Sequence, residues 1–473
     1  MRGLHLMNHE PDFLENLRAE FSGWRRWLDR AIVLGYALAA GLFVVGLTIG
    51  SDWAFGHFRR LYESHPWAVL LWTPAVTAAI VWATRRWAPA SSGSGIPQVK
   101  AALHPALPPE RRSLFVSLRL TLAKLALTVV GFTGGLSIGR EGPAVQIAAG
   151  VMQHSRRWLS PGSSIDRWAL ILAGGAAGIA AAFNAPLAGV VFAIEELSGR
   201  IEAKTSGLII TAIVLAGLVS VSVFGNYAYF GIIEVGRIEA GALGPGLLVA
   251  LLAGAAGGLF SKLMAASLTG APSPMNRWRA RWPIRFAAAI GLAVAVIGLA
   301  TGGATFGSGS ETVKALLAGH GDLTPVQTVL KFIATWLAAW AGVPGGIFAP
   351  SLSIGAGIGE AVTRLVTPDL RPALIAMGMA GFLAAVTQAP LTAFIIVMEM
   401  VDGHSMVLSL MACALLASLV SRMIGRPLYE ALAEFMVGNA IGSTLSHHPA
   451  PAPAPAPEEE AAPREDAESA RQP

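Results

Sequence analysis

Charge is scarce in this chain. Asp, Glu, Lys and Arg make up 13% of its 473 residues and apolar side chains 54%, against roughly 25% charged in soluble domains. That balance cannot coat a soluble globule and points to a lipid bilayer. Cys413 is the single cysteine, set in an apolar run, which excludes a disulfide framework and a cysteine-ligated metal. No H-E-x-x-H pattern occurs, and the serines of the glycine-rich segments have no histidine near them in sequence. His320 lies in a polar loop and His404 at the start of an apolar run. An intramembrane enzyme is therefore not expected, nor a metal or cofactor. No segment reads as a soluble catalytic, nucleotide-binding or nucleic-acid-binding domain.

Long uncharged runs are abundant: 31–50, 205–233, 240–261, 286–310 and 403–421. Each suffices for a helix through a hydrocarbon core of roughly 30 Å. The segments 169–183, 185–194 and 350–359 are apolar but shorter. They read as broken or re-entrant helices, which require protein or a watery cavity around their ends. Residues 1–30 mix acidic side chains with Arg18, Arg25, Arg26 and Arg30. Their apolar core comes too late for a signal peptide, so an amphipathic helix on the cytoplasmic side is expected. Arg85 and Arg86 after the second apolar run agree with that orientation. The formal charge of +5 divides unevenly, because the segment from Leu445 carries a net −4 and the remainder +9. Its PAPAPAP run is too poor in apolar residues to fold, so 445–473 reads as a solvated tail.

Three motifs occur twice in the same order. GSGIPQVKAAL (93–103), GREGPAVQIAAG (139–150) and AFNAPLAGVVFAIEE (182–196) are matched by GSGSETVKALL (307–317), GIFAPSLSIGAG (346–357) and VTQAPLTAFIIVMEM (386–400). The offsets of 214, 207 and 204 residues differ little, which argues for duplicated halves, about 31–230 and 240–435. In a membrane chain, paired Gly/Pro-interrupted segments point to a transporter with its site between the halves.

The motifs suit a partly dehydrated anion. A full Lys or Arg charge would hold it too tightly, whereas helix starts offer free N–H groups with partial positive charge. In GSGIP, Ser94 sits between Gly93 and Gly95 ahead of Pro97. It either offers its hydroxyl to an anion or caps the following helix. GIFAP repeats the grammar with the amides of Ile347 and Phe348. GREGP adds Glu141, a carboxylate at a helix start. Glu141 is either an ion-pair partner of Arg140 or a gate, competing with an anion when charged and leaving when protonated. Glu195 aligns with Glu399 but Glu196 aligns with Met400. The shared glutamate reads as structural, and the unmatched Glu196 as the better functional candidate, unless both simply end a helix in solvent. Lys124 and Lys331, in apolar stretches, either raise the local potential or snorkel to the interface. Tyr429, after the last long apolar run, reads on its own as an interfacial tyrosine.

GSGIP, GREGP and GIFAP in this order, with Tyr429 downstream, resemble the CLC family of chloride channels and chloride/proton exchangers over roughly residues 30–435. The resemblance implies an all-α membrane fold of two inverted halves with many tilted, broken and re-entrant helices. It also implies a homodimer with one pathway per subunit. By position, Ser94 and Tyr429 would hold a central chloride, with the amides of Ile347 and Phe348. Amides around Arg140, Glu141 and Gly142 would frame an outer site. Glu141 would match the external gating glutamate and Glu196 the internal proton-transfer glutamate. Ser at the second position of an intact GSGIP resembles the chloride-handling members. The short stretch after Tyr429 leaves no room for the CBS pair of eukaryotic members, so a compact prokaryotic type in a bacterial inner membrane is expected. The leading expectation is exchange of chloride for protons; the alternative is a passive chloride channel of the same fold.

Overall fold

The computed structural model describes residues 24–198, 203–225, 228–233, 243–366 and 368–445. Most of the expected N-terminal amphipathic helix and nearly all of the Pro/Ala/Glu tail lie outside the described residues. Among the described residues the regular elements are all helical, and extended pairing is confined to two isolated bridges. Among the described residues, seven helical segments are long and apolar enough to cross a membrane.

The first half comprises α1 (Trp24–Ser64), α2 (Val69–Trp87), α3 (Ile96–Leu103), α4 (Leu118–Thr133), α5 (Glu141–His154), α6 (Arg167–Phe183), α7 (Pro186–Phe192) and α8 (Ala203–Phe224). The second comprises α9 (Leu243–Leu268), α10 (Pro274–Arg281), α11 (Pro283–Ala300), α12 (Ser310–Leu317), α13 (Pro325–Ala341), α14 (Phe348–Thr363), α15 (Arg371–Thr387), α16 (Pro390–Met400), α17 (Val407–Ile424) and α18 (Leu428–Leu445). There is no break at residue 30. The helix that begins at Trp24 continues for 41 residues, about 60 Å of rise, so the arginines near its start belong to the first membrane helix itself.

Local chemistry sets the matching breaks. α6 ends on Asn184 and α15 on Gln388, both left-handed, at φ 57° and 59°. Ala-Pro follows each and starts α7 and α16, since proline at a helix start sacrifices no needed donor. The pairs α5–α6 and α14–α15 pack through glycines four apart. A Cβ on Gly174 or Gly178 would lie 2.6 Å from the Ala148 or Ala144 carbonyl oxygen. Gly355 and Gly359 likewise press on the backbone of Gly378 and Leu374. Such close backbone approach supplies van der Waals contact where lipid offers no hydrophobic drive.

The halves are tied by reciprocal carboxylates. Glu195 accepts hydrogen bonds from the amides of Leu391 and Thr392, at 3.1 and 2.6 Å. Glu399 accepts from Leu187 and Ala188, at 3.3 and 2.6 Å. Each acid sits at the positive end of the other half's helix. Lys124 and Lys331 also behave as a pair, and neither snorkels. Lys124 Nζ donates to the carbonyls of Ser91 and Gly93, at 2.8 and 2.6 Å. Lys331 Nζ donates to Thr305 and Gly307, at 3.0 and 2.7 Å. Both are buried and clamp the Gly-Ser-Gly turn of their own half, because those turns present carbonyls that no helix satisfies.

Candidate functional site

The site forms where three broken helix starts meet. Gly93 and Gly345 join the halves: the Gly93 amide donates to Val343 O and the Gly345 amide to Gly93 O, each at 3.1 Å. GREGP and GIFAP face each other in an antiparallel bridge, Gly139 N to Gly346 O at 2.7 Å and Gly346 N to Gly139 O at 2.6 Å. The starts of α3, α5 and α14 thus crowd together, with Tyr429 arriving on α18. A side chain on Gly142 would run into the Ser94 hydroxyl and come within 2.8 Å of the Ser94 carbonyl oxygen. We expect Gly142→Ala to cost ~1–3 kcal/mol of packing strain and to cut ion flux at least ~10-fold by displacing Ser94. Flux measured on variant protein that retains its thermal stability checks this.

Ser94 does not cap its helix. Gly95 occupies the cap position, and its amide donates to Gln98 Oε1 at 3.0 Å. The Gln98 side-chain amide ties back to the Ser92 carbonyl at 2.5 Å. The Ser94 hydroxyl is therefore left over. It lines the same cavity as Tyr429, and neither hydroxyl oxygen, though buried, makes a hydrogen bond within 3.5 Å. Tyr429 is 1% exposed, not interfacial as its sequence position suggests, because α18 packs against α3. Buried hydroxyls are normally satisfied, so two orphans at one cavity mark a place for something that accepts O–H donors. They line a cavity of about 230 Å³ together with Gly345 and Ile347. α14 begins at Phe348, so the first amides of GIFAP lack intrahelical acceptors. Phe348 packs its ring 6.0 Å from that of Tyr429. A donor set of hydroxyls and amides with no carboxylate suits an anion, and no cluster able to hold a metal occurs among the described residues.

Glu141 is 1% exposed. Its Oε2 accepts from the Ala349 amide at 3.4 Å, and the backbone of Arg140 and of Glu141 itself lies close to the same carboxylate. The side chain thus occupies an amide seat formed by the starts of α5 and α14. It is not paired with Arg140. That guanidinium turns away, to Asp52 Oδ1 at 2.5 Å and to the Tyr229 hydroxyl at 3.0 Å. Arg140 and Asp52 line a second cavity of about 700 Å³.

The two cavities open on opposite membrane faces. The larger touches Glu63, just before α2, and Thr301, just after α11; the smaller touches Pro89, just after α2, and Arg279, just before α11. Both helices are long and apolar enough to cross a membrane. The face of the smaller cavity carries Arg85, Arg86, Arg277, Arg281 and Arg285 at these helix ends, the bias expected of a cytoplasmic face. Glu141 lines neither cavity, but its neighbours reach toward both: Arg140 lines the larger, and Gly142 packs against Ser94, which lines the smaller.

Glu196 sits on a π-helical turn, Ala193–Ser198, not on a solvated helix end. It is 5% exposed and pairs with Lys100 Nζ at 2.7 Å. Phe192, on the preceding turn, contacts Phe348 edge-on with ring centroids 6.3 Å apart, which links the Glu196 turn to the Glu141 seat. Sequence reasoning missed Lys100. Its one signal is its place in the duplicated V-K of the Gly-Ser-Gly motifs. Asp52 was missed as well, since nothing local marks it as a partner of Arg140.

The voltage gated chloride channel family model matches residues 76–422. A slow cyanobacterial Cl−/H+ antiporter superposes with a TM-score of 0.72 at 26% identity, covering 88% of this chain and 98% of that one. A eukaryotic CLC transporter gives 0.69 at 20% identity, over 87% and 75%. A CLC-type fluoride/proton antiporter gives 0.68 at 20% identity, over 89% and 99%. With inverted halves meeting at three glycine-flanked helix starts, and a family match spanning most of its length, this chain belongs to the CLC, or voltage gated chloride channel, family.

Proposed function

We propose that this protein exchanges chloride for protons across its membrane. The observation that carries this reading is the buried Glu141 carboxylate seated on helix-start amides, with Arg140 before it lining one cavity and Gly142 after it packed on Ser94 of the other. Charged, it fills an anion seat and closes the path. Protonated, it loses its attraction to the amides, leaves, and takes its proton with it. One side chain therefore links anion passage to proton movement. Ser94 and Tyr429 hold the anion below it with the amides of Ile347 and Phe348, and Arg140 and Gly142 contribute backbone to the outer seat. Glu196, buried on the far side of Phe192 and Phe348, hands protons to or from the cytoplasm. The similarity to a cyanobacterial Cl−/H+ antiporter supports exchange over a passive channel. We assign the protein to a bacterial inner membrane as a homodimer.

Reconstituted vesicles test the reading. An imposed chloride gradient will drive protons uphill; chloride flux without proton movement would make the protein a channel. Fluoride-driven but not chloride-driven uptake would reassign the anion. Ser94→Ala and Tyr429→Phe each remove one hydrogen bond to a charged ligand, about 1.5–3 kcal/mol. Calorimetric chloride affinity should fall at least ~10-fold in each, and unaltered affinity would remove these hydroxyls from the site.

A further inference from the structure

The cytoplasmic cavity contains a cation that the exchange reaction as described does not use. Arg279 lies on the short helix α10, whose place is fixed by polar contacts. Ser273 caps it, accepting from the Asn276 amide at 3.0 Å. The Trp340 indole donates to Asn276 Oδ1 at 2.9 Å. Arg279 Nη1 donates to the Ser267 carbonyl at 3.2 Å. The guanidinium is thereby held at the wall of the cavity lined by Ser94 and Tyr429. It also reaches the turn that joins the halves: a Cβ on Gly342 would lie 3.4 Å from Arg279 Nη2, and the Gly342 carbonyl accepts from the Ser92 hydroxyl at 2.8 Å. The partners of Arg279 among the described residues are neutral. No carboxylate forms an ion pair with it there.

A guanidinium with no carboxylate partner keeps its field available to a visiting anion. Elsewhere in the protein the pattern differs: Arg140 has Asp52, Arg371 has Glu360 and Lys100 has Glu196. The cavity behind Arg279 has an apolar lining of Phe115, Met264, Leu428 and Leu432, and low-dielectric walls focus the field of a charge at their mouth. The guanidinium is only partly buried, so it stays hydrated enough to attract an anion without trapping it.

We infer that Arg279, at the wall of the cavity, captures the transported anion from the cytoplasm and passes it to Ser94 and Tyr429. This rests on the chloride-transport reading and adds a residue that sets apparent affinity rather than coupling. The effect is electrostatic and acts within a Debye length of roughly 8–10 Å at ordinary salt.

The test is radiochloride exchange at equal chloride on both faces, in vesicles of net-neutral phosphatidylcholine, with chloride varied over a wide range. Arg279→Gln should raise the half-saturating chloride ~3- to 10-fold and leave the maximal rate unchanged. Arg279→Lys, which keeps the charge, should restore most of the native affinity. Arg277→Gln, on the same helix but outside the cavity lining, should behave as native protein. Added gluconate should shrink the difference between native and Arg279→Gln. A lowered maximal rate with unchanged half-saturation would show that α10 is only structural and would overturn the inference. So would equal effects of the Arg277 and Arg279 substitutions, or an effect confined to vesicles containing phosphatidylglycerol, which would make Arg279 a lipid contact. Absence of chloride flux in the native protein would instead refute the transport reading itself.

Discussion

Replacing Glu141 with Gln will abolish uphill proton movement and leave a chloride flux that no longer varies with pH. The reason lies in where the carboxylate sits. Its seat is built from the starts of α5 and α14, with the Ala349 amide 3.4 Å from Oε2. Each helix start carries roughly half a positive charge. A carboxylate and a chloride ion compete for the same field, whereas a neutral amide competes weakly. Gln therefore imitates the protonated state permanently and cannot carry a proton. In the native protein, acidification protonates Glu141 and empties the seat, so chloride flux rises as pH falls. The variant should be flat over the same range. The Cβ that Gly139 lacks would collide with the Glu141 carboxyl, so the seat has little spare room and Gln, close in volume, is the fair substitution. Glu141→Ala should give the same loss of coupling with the seat open. Proton uptake driven by a chloride gradient, followed with a pH electrode in reconstituted vesicles, checks both variants. Coupling that survives either one would remove Glu141 from the mechanism.

Glu196→Gln should stop proton movement as completely while chloride still passes. This acid does not line the chloride cavity; its partner is Lys100, at 2.7 Å. Gln can still accept that hydrogen bond, so the fold should persist. Glu196→Ala cannot, and it strands a lysine whose side chain is only 19% exposed. Breaking a fully buried pair costs about 3–5 kcal/mol; the residual exposure of Lys100 places the expected loss at or below the lower end. Thermal unfolding of the two variants separates the structural role of the pair from proton transfer. Gln should lose proton flux with little change in stability, and Ala should lose both. Proton flux unchanged in Glu196→Gln would direct attention to Glu195 or to a water route. Glu195 has little freedom for that task, because its carboxylate is held by the amides of Leu391 and Thr392.

The same residues show how far the sequence could be read. The membrane class, the doubled halves and the places where helices start are local properties. Scarcity of charge, an offset near two hundred residues and Gly-x-x-x-Pro spacing need no knowledge of tertiary contacts. The alignment of Glu195 with Glu399, and the lack of a mate for Glu196, were also visible in one dimension. The structure gives the aligned pair matching carboxylate caps and gives Glu196 a different partner.

Partners were not legible. Whether Ser94 capped its helix depended on Gln98 reaching back to Gly95, and only the finished turn shows the hydroxyl left over. Arg140 chose Asp52, 88 residues earlier, over its neighbour Glu141. Lys100 met Glu196 across 96 residues. Lys124 and Lys331 turned inward, because unsatisfied turn carbonyls buried in protein bind an ammonium more firmly than a distant interface does. The sequence by itself determined that this chain is a duplicated membrane protein with polar helix starts at its middle. The tertiary structure decided which groups those starts leave free, because packing the inverted halves together satisfies most donors and acceptors and strands a few. Among those are the hydroxyls of Ser94 and Tyr429, close to the helix starts that seat Glu141, where an ion has reason to stop.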